Sequence, residues 1–160
     1  MNQYIGPLKI LLEYQPDIDV TTEIGADRKA APLQFSVAKQ NKTSMQLLIK
    51  KGANPVIGMV EDITPLHLAT VAGWIDGIKM LMNSNASIHP RDSLLLETPL
   101  DQEARNLKTD ECNLLTEYGA NPKTRNIDRQ DYQPTLECAR EYPDDWCVQP
   151  ERAFYPTWGL

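Results

Sequence analysis

Few side chains in this 160-residue chain could make or break bonds. It holds two histidines, His67 and His89, and three cysteines, Cys112, Cys138 and Cys147. No Cys-x-x-Cys pair occurs and the His and Cys spacings match no zinc signature, so no metal site is expected. An odd set of unpaired thiols reads as buried free cysteines in a reducing compartment, which points to the cytoplasm or nucleus. Two carboxylates, Asp101 and Glu103, are the candidates for a general acid or base. A carboxyl held among small side chains is pushed towards its protonated form and can then move a proton. The chain has no Walker loop, dinucleotide glycine pattern or Gly-x-Ser-x-Gly elbow, so no cofactor is expected either.

The elements that must position these residues recur along the chain. Ala31-Pro32-Leu33, Thr64-Pro65-Leu66 and Thr98-Pro99-Leu100 follow one another at intervals of 33 and 34, as do Gly52-Ala53-Asn54, Asn85-Ala86-Ser87 and Gly119-Ala120-Asn121. Proline at a helix start has no N–H to leave unpaired, and the threonine before it can cap. Leu66, Leu68 and Ala69 then supply the apolar face of a first helix. Met45, Leu48 and Ile49 share one face of a second helix, as do Ile78, Leu81 and Met82, and Cys112 with Leu115. Gly52 and Gly119 stand where the chain must leave that helix with positive φ. One such unit cannot bury its own apolar face, so neighbours must stack.

This pattern resembles the ankyrin repeat, and Thr64-Pro-Leu-His-Leu-Ala69 matches its Thr-Pro-Leu-His-x-Ala signature in full. The other two blocks put Gln34 and Asp101 in the His position. The resemblance implies an all-α solenoid of stacked helix-turn-helix units with hairpin fingers and an irregular C-terminal cap. The array is expected over residues 1–142, with a partial unit at 1–20, full units at 31–63, 64–97 and 98–132, and a partial unit at 133–142. Residues 143–160 form an aromatic, proline-rich cap or tail. Residues 21–30 lengthen one connection by about three residues, and a mobile loop is the default there. In this family the signature His makes structural hydrogen bonds between adjacent units, so His67 is read as structural; His89 receives no role.

Departures from the repeat carry the functional signal. The fingers hold Gly58-Met-Val-Glu-Asp-Ile63 and Asp92-Ser-Leu-Leu-Leu-Glu97 where polar turn residues are usual, and exposed apolar patches mark contact sites. The candidate partner-binding residues are Met59, Val60, Ile63, Trp74, Leu95, Glu97, Arg105 and Tyr132. Trp74 is either a contact hot spot or a cover over the inter-helix turn. Gln102 and Glu103 occupy slots that hold Leu68 and Ala69 in the preceding unit. A carboxylate there needs a partner, for which Arg105, Arg140 and His67 are candidates, or an escape to solvent.

Charge narrows the partners. The net charge is −6, with residues 1–60 at +2 and residues 61–160 at −8. With no basic run to oppose that balance, nucleic acid is not an expected partner. No stretch of 18 apolar residues suggests a membrane span, and Met1–Asp17 lacks the basic leader of a secretory signal. The leading reading is a protein–protein interaction module that uses its fingers and inner helices. One alternative is a pocket for a small apolar molecule, with Asp101 or Glu103 as acid or base and C-terminal aromatics as a lid. The other is a homodimer formed through the apolar fingers.

Overall fold

The computed structural model describes residues 13, 17–23, 29–106 and 108–123. Three Pro-Leu dipeptides open three inner helices: α1 (Pro32–Ala38), α3 (Pro65–Val71) and α5 (Pro99–Arg105). Each turns back into an outer helix: α2 (Lys42–Lys50), α4 (Ile75–Met82) and α6 (Thr109–Glu117). The three pairs stack as an all-α ankyrin-type array, with α1, α3 and α5 packed in a row and α2 against α4. The outer helices end as their sequence requires. Gly52 and Gly119 leave α2 and α6 at φ of 95° and 93°, and Asn85 leaves α4 at 61°. Glycine and asparagine are the residues that reach this region at least cost.

The core is one stripe along the stack. Leu33, Val37, Met45 and Leu48 of the first pair meet Leu66, Ala69, Ile78 and Leu81 of the second, then Leu100, Ala104, Cys112 and Leu115 of the third. Leu68, Ile49 and Met82 sit partly buried at its edge. Cys112 is buried, as its apolar spacing predicts. Cys138 and Cys147, the partial unit at 133–142 and the tail at 143–160 lie outside the described residues.

The connection at 21–30, expected to be a mobile loop, is paired at its flanks, and residues 24–28 lie outside the described residues. β1 (Thr22–Glu23) and β2 (Lys29–Ala30) run antiparallel, Thr22 opposite Ala30 and Glu23 opposite Lys29. Two strands held by backbone hydrogen bonds lead the chain into α1. No described helix is long and apolar enough to cross a membrane.

Adjacent units are also tied outside the core. Asp19 Oδ1 accepts the Asn54 amide at 2.9 Å, and His89 Nε2 accepts the Asn121 amide at 3.0 Å. Asp19 and His89 occupy matching places in the repeat. His89 therefore has a structural task that its sequence context did not reveal.

Candidate functional site

The third helical residue of each inner helix caps the helix start, and three different side chains do it. Gln34 Oε1 accepts the Ala31 amide. His67 Nδ1 accepts the Thr64 amide at 3.1 Å, and Asp101 Oδ2 accepts the Thr98 amide at 2.9 Å. The reach back from this position satisfies an otherwise orphan donor. Only Thr98 adds the expected threonine cap, its hydroxyl accepting the Asp101 amide at 3.3 Å; the Thr64 hydroxyl faces His67 Nδ1 instead. Gln34 Nε2 also donates to Ile57 O at 2.6 Å, and His67 Nε2 faces Glu97 O at 3.3 Å. Both side chains thereby fix the next finger. With Nδ1 accepting, the proton belongs on Nε2. Burial pushes the His67 pKa below its ordinary value, against the Glu97 carbonyl and the Asp92 charge, and keeps the ring neutral.

The fingers that follow are closed turns with apolar tips. In the first, Met59 N donates to Ile63 O at 2.8 Å and Asp62 N to Met59 O at 3.1 Å, with Val60–Asp62 forming a single 3-10 turn. In the second, Asp92 N donates to Glu97 O at 3.0 Å, and this finger holds the extra residue that lengthens the repeat from 33 to 34. The buried Asp92 carboxylate organises the tip. Its Oδ1 accepts the amides of Leu94 (3.1 Å) and Leu95 (2.7 Å), while Gln102 Nε2 donates to its Oδ2 at 3.2 Å. Arg91 donates to Leu96 O at 2.6 Å, and Ser93 N donates to Glu61 O of the first finger at 2.9 Å.

This network holds Leu94, Leu95 and Leu96 in solvent at 49%, 37% and 42% exposure, with Val60 exposed at 42% on the neighbouring finger. Leu96 sits at φ 56°, and Glu61 and Asp62 at 64° and 57°. A leucine in the left-handed region costs about 1–2 kcal/mol, a strain that persists only where surroundings impose it. Leu94 and Leu96 join Leu95 in the patch; the sequence shows the apolar run, but only Leu95 of the three is named there as a contact residue. The Asp92-Ser93 pair, a common start to a side-chain-capped turn, is the signal that could have found them.

One of the named residues, Glu97, belongs to the interior. Glu97 is 1% exposed and its carboxylate meets Arg105 Nη2 at 2.9 Å, so it serves as an internal anchor for Arg105 and offers no contact surface of its own. Arg105 is partly buried, its guanidinium held against that carboxylate. Trp74 is partly buried and lies over Gly77, where any Cβ would come within 2.2 Å of the indole. Its indole lies against the first turns of α4. Met59 and Ile63 are partly buried at the finger base. Tyr132 and Arg140 lie outside the described residues.

Glu103 has a different partner from those its sequence suggested. It is fully buried, and Lys108 Nζ stands 3.4 Å from its Oε2. The same ammonium reaches the exposed end of the α3 carbonyls, at 3.1 Å from Val71 O. Burial raises the Glu103 pKa; Lys108 pulls it back down in part, and Glu111 adds to the rise. Sequence reasoning missed Lys108 because only the α5–α6 turn brings it back over Glu103. A fully buried carboxylate presents no accessible oxygen to a substrate, and Asp101 is likewise buried and committed to Thr98. An open depression between α4 and α6 is lined by Ile75, Lys79, Asp110, Asn113, Leu114 and Glu117, and neither acid is among them. Among the described residues, no group of three or more His, Cys, Asp or Glu could hold a metal ion.

On the inner helices the exposed large apolar side chains are Phe35 at 50% and Val71 at 58%, while Val20, Val56 and Tyr118 are exposed elsewhere. Lys39 Nζ stands 5.9 Å from the centre of the Phe35 ring.

Comparison with known proteins agrees with this geometry. A family model described as ankyrin repeats (3 copies) matches residues 2–92. Ankyrin repeat and SOCS box protein 11 from Homo sapiens and from Pongo abelii is each 32% identical over 97 residues, 61% of this chain and 29% of the relative. The Mus musculus protein of the same name is similar over the same extent. The chain thus aligns with under a third of the length of these relatives. The helix pair α5–α6 continues the same architecture beyond the matched residues. With a family model covering more than half of its length and three helix pairs in register, this chain belongs to the ankyrin-repeat family.

Proposed function

We propose that this chain holds a partner protein through its finger tips and inner helices. Ankyrin repeats are generally protein–protein interaction modules, and the burial of Asp101 and Glu103 gives no support to an enzyme pocket. The observation that carries the reading is the second finger tip. Three successive leucines stand in solvent, and Asp92, Arg91 and Gln102 spend hydrogen bonds holding them there. Apolar surface kept out of the core and rigidified is the cheapest surface to bury on binding, because little conformational entropy remains to be lost.

The test pairs Val60→Asp with Leu95→Asp. Both side chains are exposed, so thermal unfolding should shift by no more than about 0.5 kcal/mol in stability. Capture of partner proteins by the immobilised full chain, read by mass spectrometry, should be lost in the double variant. Unchanged capture would move the binding face elsewhere. A wild-type chain that elutes as a dimer, and becomes monomeric in the double variant, would assign the tips to self-association.

A further inference from the structure

The charges on the inner-helix face are arranged against the trend of the whole molecule. The chain is acidic, at −6, yet the acids of the inner helices, Asp101 and Glu103, are 1% and 0% exposed. The cations of the same helices and of the turns that end them reach solvent. Lys39 is exposed beside Phe35. In each of the two ion pairs here the cation is the more exposed side chain: Arg105 is 28% exposed against 1% for Glu97, and Lys108 is 34% exposed against 0% for Glu103. Lys108 bonds the Val71 carbonyl, which places its charge beside the most exposed apolar side chain described. Two acids stand nearby on the outer helices: Asp76, held by Lys42 at 2.8 Å, and Glu111 beside Gly73. They leave the inner-helix strip itself cationic and apolar.

We propose that the inner-helix face receives an acidic amphipathic segment of the partner, with its apolar side chains on Phe35 and Val71 and its carboxylates on Lys39, Arg105 and Lys108. The proposal rests on the reading of the chain as an interaction module and names the chemistry of what it holds. Carboxylates approaching Arg105 and Lys108 meet donors already oriented by a buried anion behind them, so little ordering remains. A basic segment would meet no exposed carboxylate on the described inner helices and would face the Lys39 charge and the cationic sides of two ion pairs, which is how such a surface rejects wrong partners.

A phage-displayed library of random twelve-residue peptides, panned on the full chain at low salt, tests this. Enriched peptides should combine Asp or Glu with aromatic or aliphatic residues. A synthetic copy of the strongest should bind in fluorescence anisotropy and weaken as NaCl rises from about 0.05 to about 0.3 M. The double variant Lys39→Glu, Val71→Glu alters only exposed side chains, and circular dichroism checks that it stays folded. It should weaken that peptide by about tenfold or more. Enrichment of Lys/Arg-rich peptides, binding indifferent to the double variant, or no enrichment at all would each overturn the proposal. Any of those results, with partner capture still lost in Val60→Asp, Leu95→Asp, would leave the interaction reading standing. Loss of both would sink them together.

Discussion

His67 and Glu103 are buried titratable groups one unit apart, and they pull stability in opposite directions with pH. The folded state lowers the His67 pKa, so the unfolded chain binds that proton more readily. Its contribution is present above about pH 6.5 and drains away as pH falls below it, by at most about 1.4 kcal/mol per pH unit. Glu103 has a raised pKa, so its contribution is complete in acid and is lost as pH rises through the folded value. Two variants separate them. His67→Gln should fold with a loss of no more than about 1.5 kcal/mol at pH 7, because Gln34 shows an amide capping and bridging from the same slot. Its urea midpoint should stay flatter than wild type between pH 7 and 5. Glu103→Gln should unfold at a higher urea concentration than wild type at neutral pH, with the gain shrinking in acid; a loss at neutral pH would mean that Lys108 stabilises the charged form after all. The capping slot itself was legible from its spacing after each proline. The pairing of Glu103 was not, because a cation five residues on becomes a neighbour only when a specific turn folds it back.

At the scale of the element, the seating of Trp74 on the start of α4 depends on a glycine that the repeat does not demand. Gly77 is buried inside α4, and a Cβ there would lie 2.2 Å from Trp74 Cε3 and 2.5 Å from Cδ2. Gly77→Ala must therefore displace the indole and should cost about 1–3 kcal/mol, although alanine is the better helix former. In a Trp74→Ala background the obstacle is gone, and the same change should stabilise by up to about 1 kcal/mol. Urea denaturation of the four proteins of this cycle measures that change of sign; a penalty that persists without the indole would place its origin elsewhere in the helix. The helices themselves were legible because Pro-Leu starts, apolar spacing and glycine exits agreed on the same boundaries. The fingers were only half legible. Their apolar composition was plain, but the Asp92 carboxylate that holds the leucines outwards acts across a turn and onto α5. The pairing of β1 with β2 rests on two residues a side, too short for any periodic signal.

The described residues form a row of units in which each inner helix packs on its own outer helix and on the adjacent inner helix, and the length of the chain counts repeats more than it measures a single rounded core. That connectivity was legible from the 33- and 34-residue intervals, since a thin apolar stripe in each unit requires another unit to cover it. It also dictates how the protein should come apart. Leu66 in the middle pair and Leu115 in the third are both fully buried, and truncation of either to alanine should cost about 2–5 kcal/mol. Leu66→Ala weakens contacts on both sides of the stack, so every probe should shift together. Leu115→Ala weakens the third pair and leaves the α1–α3 packing intact. With Trp146 and Trp158 replaced by phenylalanine, Trp74 fluorescence reports the middle unit while far-ultraviolet circular dichroism reports all helices. Under urea the Leu115→Ala variant should lose helical signal before the Trp74 transition, whereas Leu66→Ala should keep the two curves superimposed. Superimposed curves in both variants would show that the units couple too strongly for any one to melt alone, and the stack would then unfold as a single cooperative body.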